Sequence, residues 1–577
     1  MTRRRFAAPG YALLLALLIV APLAAPGYLL LRDAVSTPRS YLSDAALGLS
    51  EAAPRAVPQD FAVALASHLL DGGIVVKLLL LFGLVAAGWG AARLADTVVP
   101  ASGLPGQFVA ATVAVWNPYV AERLLQGHWS LLVGYGCLPW VATWVLRLRD
   151  GDGTGGFFAL AFWLALAGLT PTGLLMAAAV ALVCVAVPGA GRSRAVCVAA
   201  TLALAVAAAL PWLTASALGG ALTAYQAAGT PGFEAFAARA EPGLGTLGSL
   251  AGLGGMWNAD AVPGSRSTPL AIVGTAALLA VLALGLAHVG RAGPRRTAAP
   301  LLLLALAAVA GPALLATGWG LGMLRPVVEA MPGLGVLRDG QKWAALAMPG
   351  YAVAAAGSVV TLRRFRPAAV AAVLCATLLL VLPDLAWGGW GRVTSVRYPP
   401  GWAAVAAAIN ADPQPVAVLP AGPMRQFAWA GTAPVLDPLP RWVRADVLST
   451  GDLTIAGQTV PGEGNRARGV QDLLLAGAPA EQLTAAGVGW VVAQIGSRGE
   501  MGSAARTLAN LPVVYRDGEI ALHRVGGHWA AASPSHRRLA VAAHLAWLAV
   551  LAGGAALSFQ SVQRWLRRPL AILRRDY

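Results

Sequence analysis

Charge is scarce in this sequence. Asp, Glu, Lys and Arg make up only 12% of its 577 residues, half the ~25% of a soluble globular protein. That excludes an ordinary water-soluble enzyme. The 57% hydrophobic content excludes a disordered chain, which needs the opposite balance. Cysteine is limited to Cys137, Cys184, Cys197 and Cys375. All four lie in or beside apolar runs, so there is no disulfide framework and no zinc spacing. They read as small packing residues. Seven histidines form no His-x-x-x-His pair, no serine sits in a G-x-S-x-G elbow, and the only lysines are Lys77 and Lys342.

What is present is apolar length. Twelve runs suit membrane helices: 11–31, 74–94, 106–126, 128–146, 156–170, 173–188, 195–214, 269–288, 298–317, 344–362, 367–386 and 538–558. The first, led by Arg3–Arg5, reads as a retained signal-anchor. With the N-terminus in the cytosol, the inner side holds 19 of the 42 basic residues and only four acids, Asp96, Asp150, Asp152 and Asp576. The remaining charges nearly cancel. The net charge of +16 therefore sets orientation and does not point to nucleic acid. Both termini are expected in the cytosol of a plasma-membrane protein.

The predicted architecture is a multi-pass α-helical membrane protein with an extracytoplasmic mixed α/β domain. Residues 1–386 form the polytopic part, 387–537 the outer domain, and 538–577 the last span with a basic cytoplasmic tail. Segment 32–73, with Asp33, Asp44, Glu51, Asp60 and Asp71, reads as amphipathic helices on the outer surface, punctuated by Pro38, Pro54 and Pro58. Segment 215–268 is a long Gly- and Pro-rich loop carrying Tyr225, Phe233, Phe236 and Trp257. In the outer domain, Val416–Leu419 and Val488–Ala493 read as buried strands. Val513–Tyr515 and Ile520–Val525 form a hairpin around Arg516-Asp517-Gly518. Trp402, Trp429 and Trp442 suit either a core or a carbohydrate surface.

Two motifs are decoys. Asp150-Gly151-Asp152 matches a metal-diphosphate D-x-D but sits in a short inner loop. Gly243–Gly248 matches G-x-G-x-x-G without the preceding strand or the later acid.

Three constellations suit chemistry, all on the outer side. Arg32-Asp33 stands at the mouth of the first span, where low polarity raises a carboxyl toward the range of a general base. Arg39, Asp44 and Glu51 follow. Next, Pro118 breaks a helix, and Asn117, Glu122, Arg123, Gln126 and His128 appear between two apolar runs, where ionisable residues are expensive. Third, Arg325 precedes Leu337-Arg338-Asp339-Gly340-Gln341-Lys342-Trp343, whose cations suit a lipid phosphate. Each has a bland reading: an interfacial ion pair, a capped re-entrant turn, and interfacial anchoring.

With the Arg32-Asp33 loop, the Asn117–Trp129 and Leu337–Trp343 stretches and the outer domain, the chain resembles the GT-C membrane glycosyltransferases. These use polyprenyl-phosphate sugars. It is most similar to the arabinofuranosyl- and mannosyltransferase branch of bacterial cell-envelope biosynthesis. The resemblance implies an inverting transfer with Asp33 as catalytic base, and Asp44, Glu51 and Asp60 as the supporting acidic loop. Arg338, Lys342 and Arg325 would bind the donor phosphate, and Asn117, Glu122, Arg123, Gln126 and His128 would line the site. The partners it implies are membrane lipid, the lipid-linked donor and a glycan or glycolipid acceptor. Enzymes of this type act with or without a divalent cation, so one stays open here; the sequence shows no tight metal cage, and none is predicted. The first loop of such proteins often carries paired acids, whereas here Asp33 follows an arginine. A non-catalytic envelope-assembly scaffold is therefore one alternative, and a lipid or glycolipid transporter another. Against transport, charges avoid the span centres and no repeat is present. Against a lipid-linked glycan polymerase or ligase, segment 215–268 holds only Arg239 and Arg266 as cations.

Overall fold

The computed structural model describes residues 2–51, 54, 56–151, 155–219, 232, 234–330, 332–455 and 458–567. Asp152, Tyr225, Phe233 and Asp576, named above, lie outside these residues, as do Arg568, Arg574 and Arg575, three of the 19 basic residues assigned to the inner side. The apolar runs do become helices. Among the described residues eight are long and apolar enough to cross a membrane, and Pro367–Leu380 with Pro383–Gly391 forms a ninth candidate bent by 72°. The other three expected spans fall short. Helices Gly155–Ala167 and Pro171–Val185 have 13 and 15 residues, roughly 20 Å each at 1.5 Å per residue, against a ~30 Å hydrocarbon core. The run 106–126 breaks in two, as described below.

The helix α1, Thr2–Val20, stops well before the predicted residue 31. Pro22, Pro26 and Gly27 end it, and Tyr28–Leu31 turns into a strand. That strand pairs antiparallel with Ala34–Val35 and with Ser395–Val396, where Leu29 meets Ser395, 366 residues on in sequence. Among the described residues of segment 32–73, the expected amphipathic helices reduce to one, α2, Gln59–Ala66; the other described residues before Gly72 are strand, turns and loop. The long helix α3, Gly72–Val98, starts where Asp71 Oδ1 accepts from the Gly73 and Ile74 amides, at 2.8 and 3.3 Å. It packs closely on α6, Trp129–Asp150, through glycine: a Cβ on Gly83 would lie 2.8 Å from Val133 Cα. The four cysteines are buried and free.

Segment 318–343 holds a helix, Gly318–Ala330, and two 3-10 stretches, Pro332–Leu337 and Gly340–Ala347, before helix Met348–Thr361. On helix 318–330, Leu324 and Val328 pack inward with Leu315, Leu334 and Leu337. Trp319, Met323 and Val327 are exposed on another face.

The α/β part is built on a four-stranded sheet in the order 513–516, 521–524, 490–493, 416–419; the last two strands are parallel. Side chains alternate across it. Val416, Trp490 and Val492 join Trp402, Ile409 and Phe427 on one face, while Ala417, Leu419 and Val491 join Leu474 and Leu483 on the other. Trp402 and Trp442 are thus core residues, stacked with centroids 6.3 Å apart, and Trp429 packs against the same cluster. The hairpin turn lies one residue later than Asp-Gly suggests. Asp517 pairs its amide with the Ile520 carbonyl at 3.0 Å, and its carboxylate accepts from the Glu519 and Ile520 amides.

This part is fastened to the first loop. Arg32 donates its amide to the Pro434 carbonyl at 2.8 Å and accepts from the Leu436 amide at 2.9 Å. Tyr28, Leu30, Val35, Val396, Tyr398 and Val435 share one apolar cluster.

Candidate active site

The site begins with a broken helix. Helix α4, Gly103–Val115, ends at Trp116, and Pro118 opens α5, Pro118–Gln126. Asn117 joins them. Its Oδ1 accepts from the Val120 amide at 3.0 Å, and its Nδ2 donates to the Val113 and Ala114 carbonyls and to the Tyr135 hydroxyl. Both polar side-chain atoms of Asn117 are engaged in holding the break. Gly127 then closes α5 at φ +85°. A Cβ there would collide with the Ala34 amide and the Leu31 carbonyl. Glycine admits the first loop, and the Asp33 amide reaches the Gln126 carbonyl at 3.1 Å.

Arg32 adopts φ +48°, in the left-handed region. It is buried, and its guanidinium donates to the Leu125 carbonyl at 2.6 Å and the Asp260 carbonyl at 2.7 Å. Asp33 therefore leaves a fixed backbone. Its Oδ2 accepts from Gln126 Nε2 at 3.0 Å and meets His128 Nε2 at 2.9 Å. Among the described residues Oδ1 accepts no hydrogen bond, and the side chain is 35% exposed. A carboxylate oriented through one oxygen and open at the other is placed to receive a proton.

The tautomer of His128 follows from its other neighbour. Arg123 only donates, and its Nη1 lies 3.2 Å from His128 Nδ1. Nδ1 must then be the bare nitrogen, and the proton on Nε2 points at Asp33. Burial, aided by the Arg123 and Lys342 charges, holds the His128 ring below its ordinary value despite Asp33. For Asp33, burial alone would raise the carboxyl. The His128 and Gln126 hydrogen bonds and the Lys342 charge outweigh it and hold the group below the usual carboxylate range. The direction is opposite to the rise expected from low polarity at the boundary: the donors decide.

Behind His128, Arg123 is fully buried and bidentate to Asp339, at 2.8 and 2.9 Å. It also donates to Gln341 Oε1 and lies 5.6 Å from the Tyr119 ring centroid. Asp339 further accepts from Trp257 Nε1 at 3.3 Å and pairs with Lys342 at 3.6 Å. The Arg123 and Lys342 cations offset burial and hold the Asp339 carboxyl well below the usual range. Glu122, also fully buried, meets the same glutamine: its Oε2 accepts from Gln341 Nε2 at 2.9 Å and from the Met256 amide at 3.2 Å. Gln126 Oε1 accepts from Asn258 at 2.7 Å. A second buried pair, Arg266 with Glu241, anchors segment 239–268.

One network thus unites Asp33, Gln126, His128, Arg123, Glu122 and Lys342 from the sequence-predicted set. Arg338 borders it, its guanidinium 5.4 Å from the Phe236 ring, which packs on Trp257. Four expected residues stand elsewhere. Arg325 makes an exposed pair with Glu234 at 3.6 Å. Asp44 binds Arg537, Glu51 accepts from the Arg466 amide, and Asp60 binds Arg441. These three acids tie the first loop to residues 441–537 and do not flank Asp33. Asp339 and Gln341 lay inside a stretch read for its cations, and their position beside Arg338 and Lys342 was the available signal. Trp257, Glu241 and Arg266 gave none, because their partners are remote in sequence. Among the described residues no three His, Cys, Asp or Glu side chains converge to hold a metal ion.

No protein-family model matches the chain, and no curated protein matches it. Two solved structures do, each over 92% of this chain at 18% identity. One is the cryo-EM structure of the arabinofuranosyltransferase AftD from mycobacteria, with TM-score 0.57; the other, of a mutant of that protein, has TM-score 0.56. The chain spans 40% and 42% of the length of those two chains. At this identity the likeness is one of fold: nearly all of this membrane-embedded chain follows a path also found within AftD.

Proposed function

We propose that the protein is a membrane glycosyltransferase that moves a sugar from a polyprenyl-phosphate donor to a cell-envelope glycan or glycolipid. It would act on the outer face of the plasma membrane, with the α/β part extracytoplasmic. The observation that carries this reading is the Asp33 carboxylate, held by His128 and Gln126 through one oxygen and open at the other, in a chain with the AftD fold. The acceptor hydroxyl gives its proton to Asp33 Oδ1 as its oxygen attacks C1 of the donor sugar. The new C1–O bond forms as the C1–O bond to phosphate breaks, and the phosphate leaves with the electron pair, inverting C1. Lys342 and Arg338 border the site and carry the charge that a departing phosphate needs. Arg325, exposed and paired with Glu234, lies outside this set.

The test uses the full chain in lipid nanodiscs with decaprenyl-phosphate arabinose and decaprenyl-phosphate mannose. Asp33→Asn should bind the donor like the wild type and lose about 10²–10⁴-fold in transfer. Lys342→Ala should weaken donor binding by roughly tenfold or more. A well-folded protein that binds neither donor would overturn the reading and favour a scaffold.

A further inference from the structure

Two loops remote from Asp33 carry arginine and no acid. Arg291, Arg295 and Arg296 surround the start of helix Ala292–Leu315, and Arg363, Arg364 and Arg366 follow the end of helix Met348–Thr361. Neither 261–328 nor 340–383 contains an Asp or Glu. Gln341, which holds Glu122 and Arg123, opens the run Gly340–Thr361. The 22 residues of that run, at ~1.5 Å each, put Arg363 roughly 30 Å from the site.

Helix packing brings the two loops together. Helix Leu270–Val289 meets Met348–Thr361 backbone to backbone. A Cβ on Gly285 would collide with the Ala354 carbonyl, and one on Gly357 would lie 2.7 Å from the Gly285 carbonyl oxygen and 2.8 Å from Val289 Cγ2. Both contacts fall one turn before the helices end. Arg291 and Arg363 therefore leave adjacent ends, and their charges act on the same ring, His288. The buried Nδ1 of that ring has no hydrogen-bond partner among the described residues.

The six arginine side chains are exposed, and among the described residues none of them makes an ion pair or a side-chain hydrogen bond. Elsewhere arginines find carboxylates, as Arg123, Arg266, Arg441, Arg468 and Arg537 do. A topology signal needs only charge on one side of the membrane; it does not need arginines from two loops distant in sequence to converge. The helix does not call for them either, since cations near the start of Ala292–Leu315 oppose its dipole. Like charges gathered without a counter-ion repel, and an anion among them removes that cost. Beside the arginines the surface is apolar. Leu284 and Leu286 on helix Leu270–Val289, and Val373 on helix Pro367–Leu380, are 37, 44 and 64% exposed. A ligand with its anion at the arginines can lay acyl chains on these helices, whereas a free anion gains nothing from them.

We propose that this cluster binds the phosphate of an anionic phospholipid in the leaflet opposite Asp33, with Arg291 and Arg363 gripping the headgroup from two helix ends. Guanidinium groups meet phosphate oxygens through paired N–H donors, and basic pockets between membrane helices suit such headgroups. The site is independent of the reaction proposed at Asp33.

The test titrates the full chain in neutral detergent with phosphatidylglycerol and counts bound lipid by native mass spectrometry. Phosphatidylcholine and sodium phosphate are the comparison probes. The wild type should bind phosphatidylglycerol saturably, and phosphatidylcholine about tenfold more weakly or less. Arg291→Gln combined with Arg363→Gln should weaken phosphatidylglycerol binding roughly tenfold or more, at about fivefold per charge. Both side chains are exposed, so this variant should melt like the wild type in the absence of lipid. Arg192→Gln combined with Arg194→Gln removes the same charge from another basic loop and should change binding by no more than about twofold. Equal weakening by the two pairs overturns the site and leaves the arginines as a topology signal. Equal affinity for phosphatidylcholine also overturns it, and assigns binding to the apolar surface alone. A melting temperature raised as much by sodium phosphate as by phosphatidylglycerol overturns the lipid and assigns a free anion.

Discussion

At the scale of single residues, the argument turns on His128. Its neutral ring gives Asp33 a donor, and that donor helps to keep the carboxyl ionised. His128→Ala should therefore raise the Asp33 carboxyl and move the acid limb of kcat/KM to higher pH, with activity recovering on the alkaline side. A purely structural loss would lower the rate equally at every pH. Stability has a definite sign as well. The folded His128 ring sits below its ordinary value near 6.5, so the unfolded chain takes up that proton first. Stability is full above about pH 7 and declines as pH falls through 6.5 toward the folded value. Asp33 adds a loss only in stronger acid, below the ordinary carboxyl value near 3.9. A melting-temperature profile between pH 8 and 5 should fall for the wild type and be flatter for His128→Gln. Arg123 is different in kind. Removing it leaves Asp339 buried without its bidentate partner, so Arg123→Leu should destabilise by roughly 3–5 kcal/mol, read as a lost or much lowered unfolding transition. The sequence displayed Asp33, Arg123, Gln126 and His128 because polar side chains stand out between apolar runs. It could not display that Arg123 fixes the proton on His128, since that requires Asp339, more than two hundred residues on, to hold the guanidinium in place.

At the scale of elements, hydrophobic periodicity identified helices well and spans less well. Each of the twelve runs contains helix, but apolarity does not report where proline, asparagine or glycine will cut it. The break at Trp116–Asn117 and the stop at Gly127 decide the site, and both depend on local backbone chemistry. Gly127→Ala should strain a φ of +85° and push Ala34 away. We expect a lower melting temperature and transfer reduced more than donor binding, because Asp33 and not the phosphate region moves. Helix Gly318–Ala330 offers another check. At about 100° per residue, Trp319, Met323 and Val327 form a stripe separate from the core-facing Leu324 and Val328, while Arg325 occupies a third side. This is the pattern expected of a helix lying in the membrane interface, and the preceding helix likewise exposes Leu303, Leu306 and Leu314. The four native cysteines are buried, so Met323→Cys takes a spin label selectively. Its relaxation should respond to oxygen over a water-soluble nickel chelate; the reverse would place this face in water.

At the scale of the whole molecule, the first loop is the piece that both halves share. Its strand pairs with residues 395–396, Arg32 joins residues 434–436, and its acids reach to residues 441–537. Sequence alone suggested that a loop rich in acids supplies several to the chemistry. The fold separates them, because a carboxylate in a docked loop is as useful for pairing with arginine as for catalysis. The two roles make different predictions. Asp44 and Asp60 pair with Arg537 and Arg441 at 2.7 and 3.1 Å, and Glu51 accepts a single amide. Contacts of this kind are worth about 0–1 kcal/mol each when they stay partly in water, and the apolar cluster beneath them, with Leu30, Val35 and Val435 buried, does not depend on charge. The triple variant Asp44→Asn, Glu51→Gln, Asp60→Asn should therefore lose at most about 2–3 kcal/mol in unfolding free energy. It should keep kcat within a few-fold and become less sensitive to salt than the wild type, since fewer screened pairs remain. Asp33→Asn should do the opposite: a smaller loss of stability, limited to the carboxylate's hydrogen bonds with His128 and Gln126, and a collapse in kcat. If the triple variant instead loses turnover as completely as Asp33→Asn while remaining folded, the acids act in the reaction, and the loop must rearrange before the sugar moves.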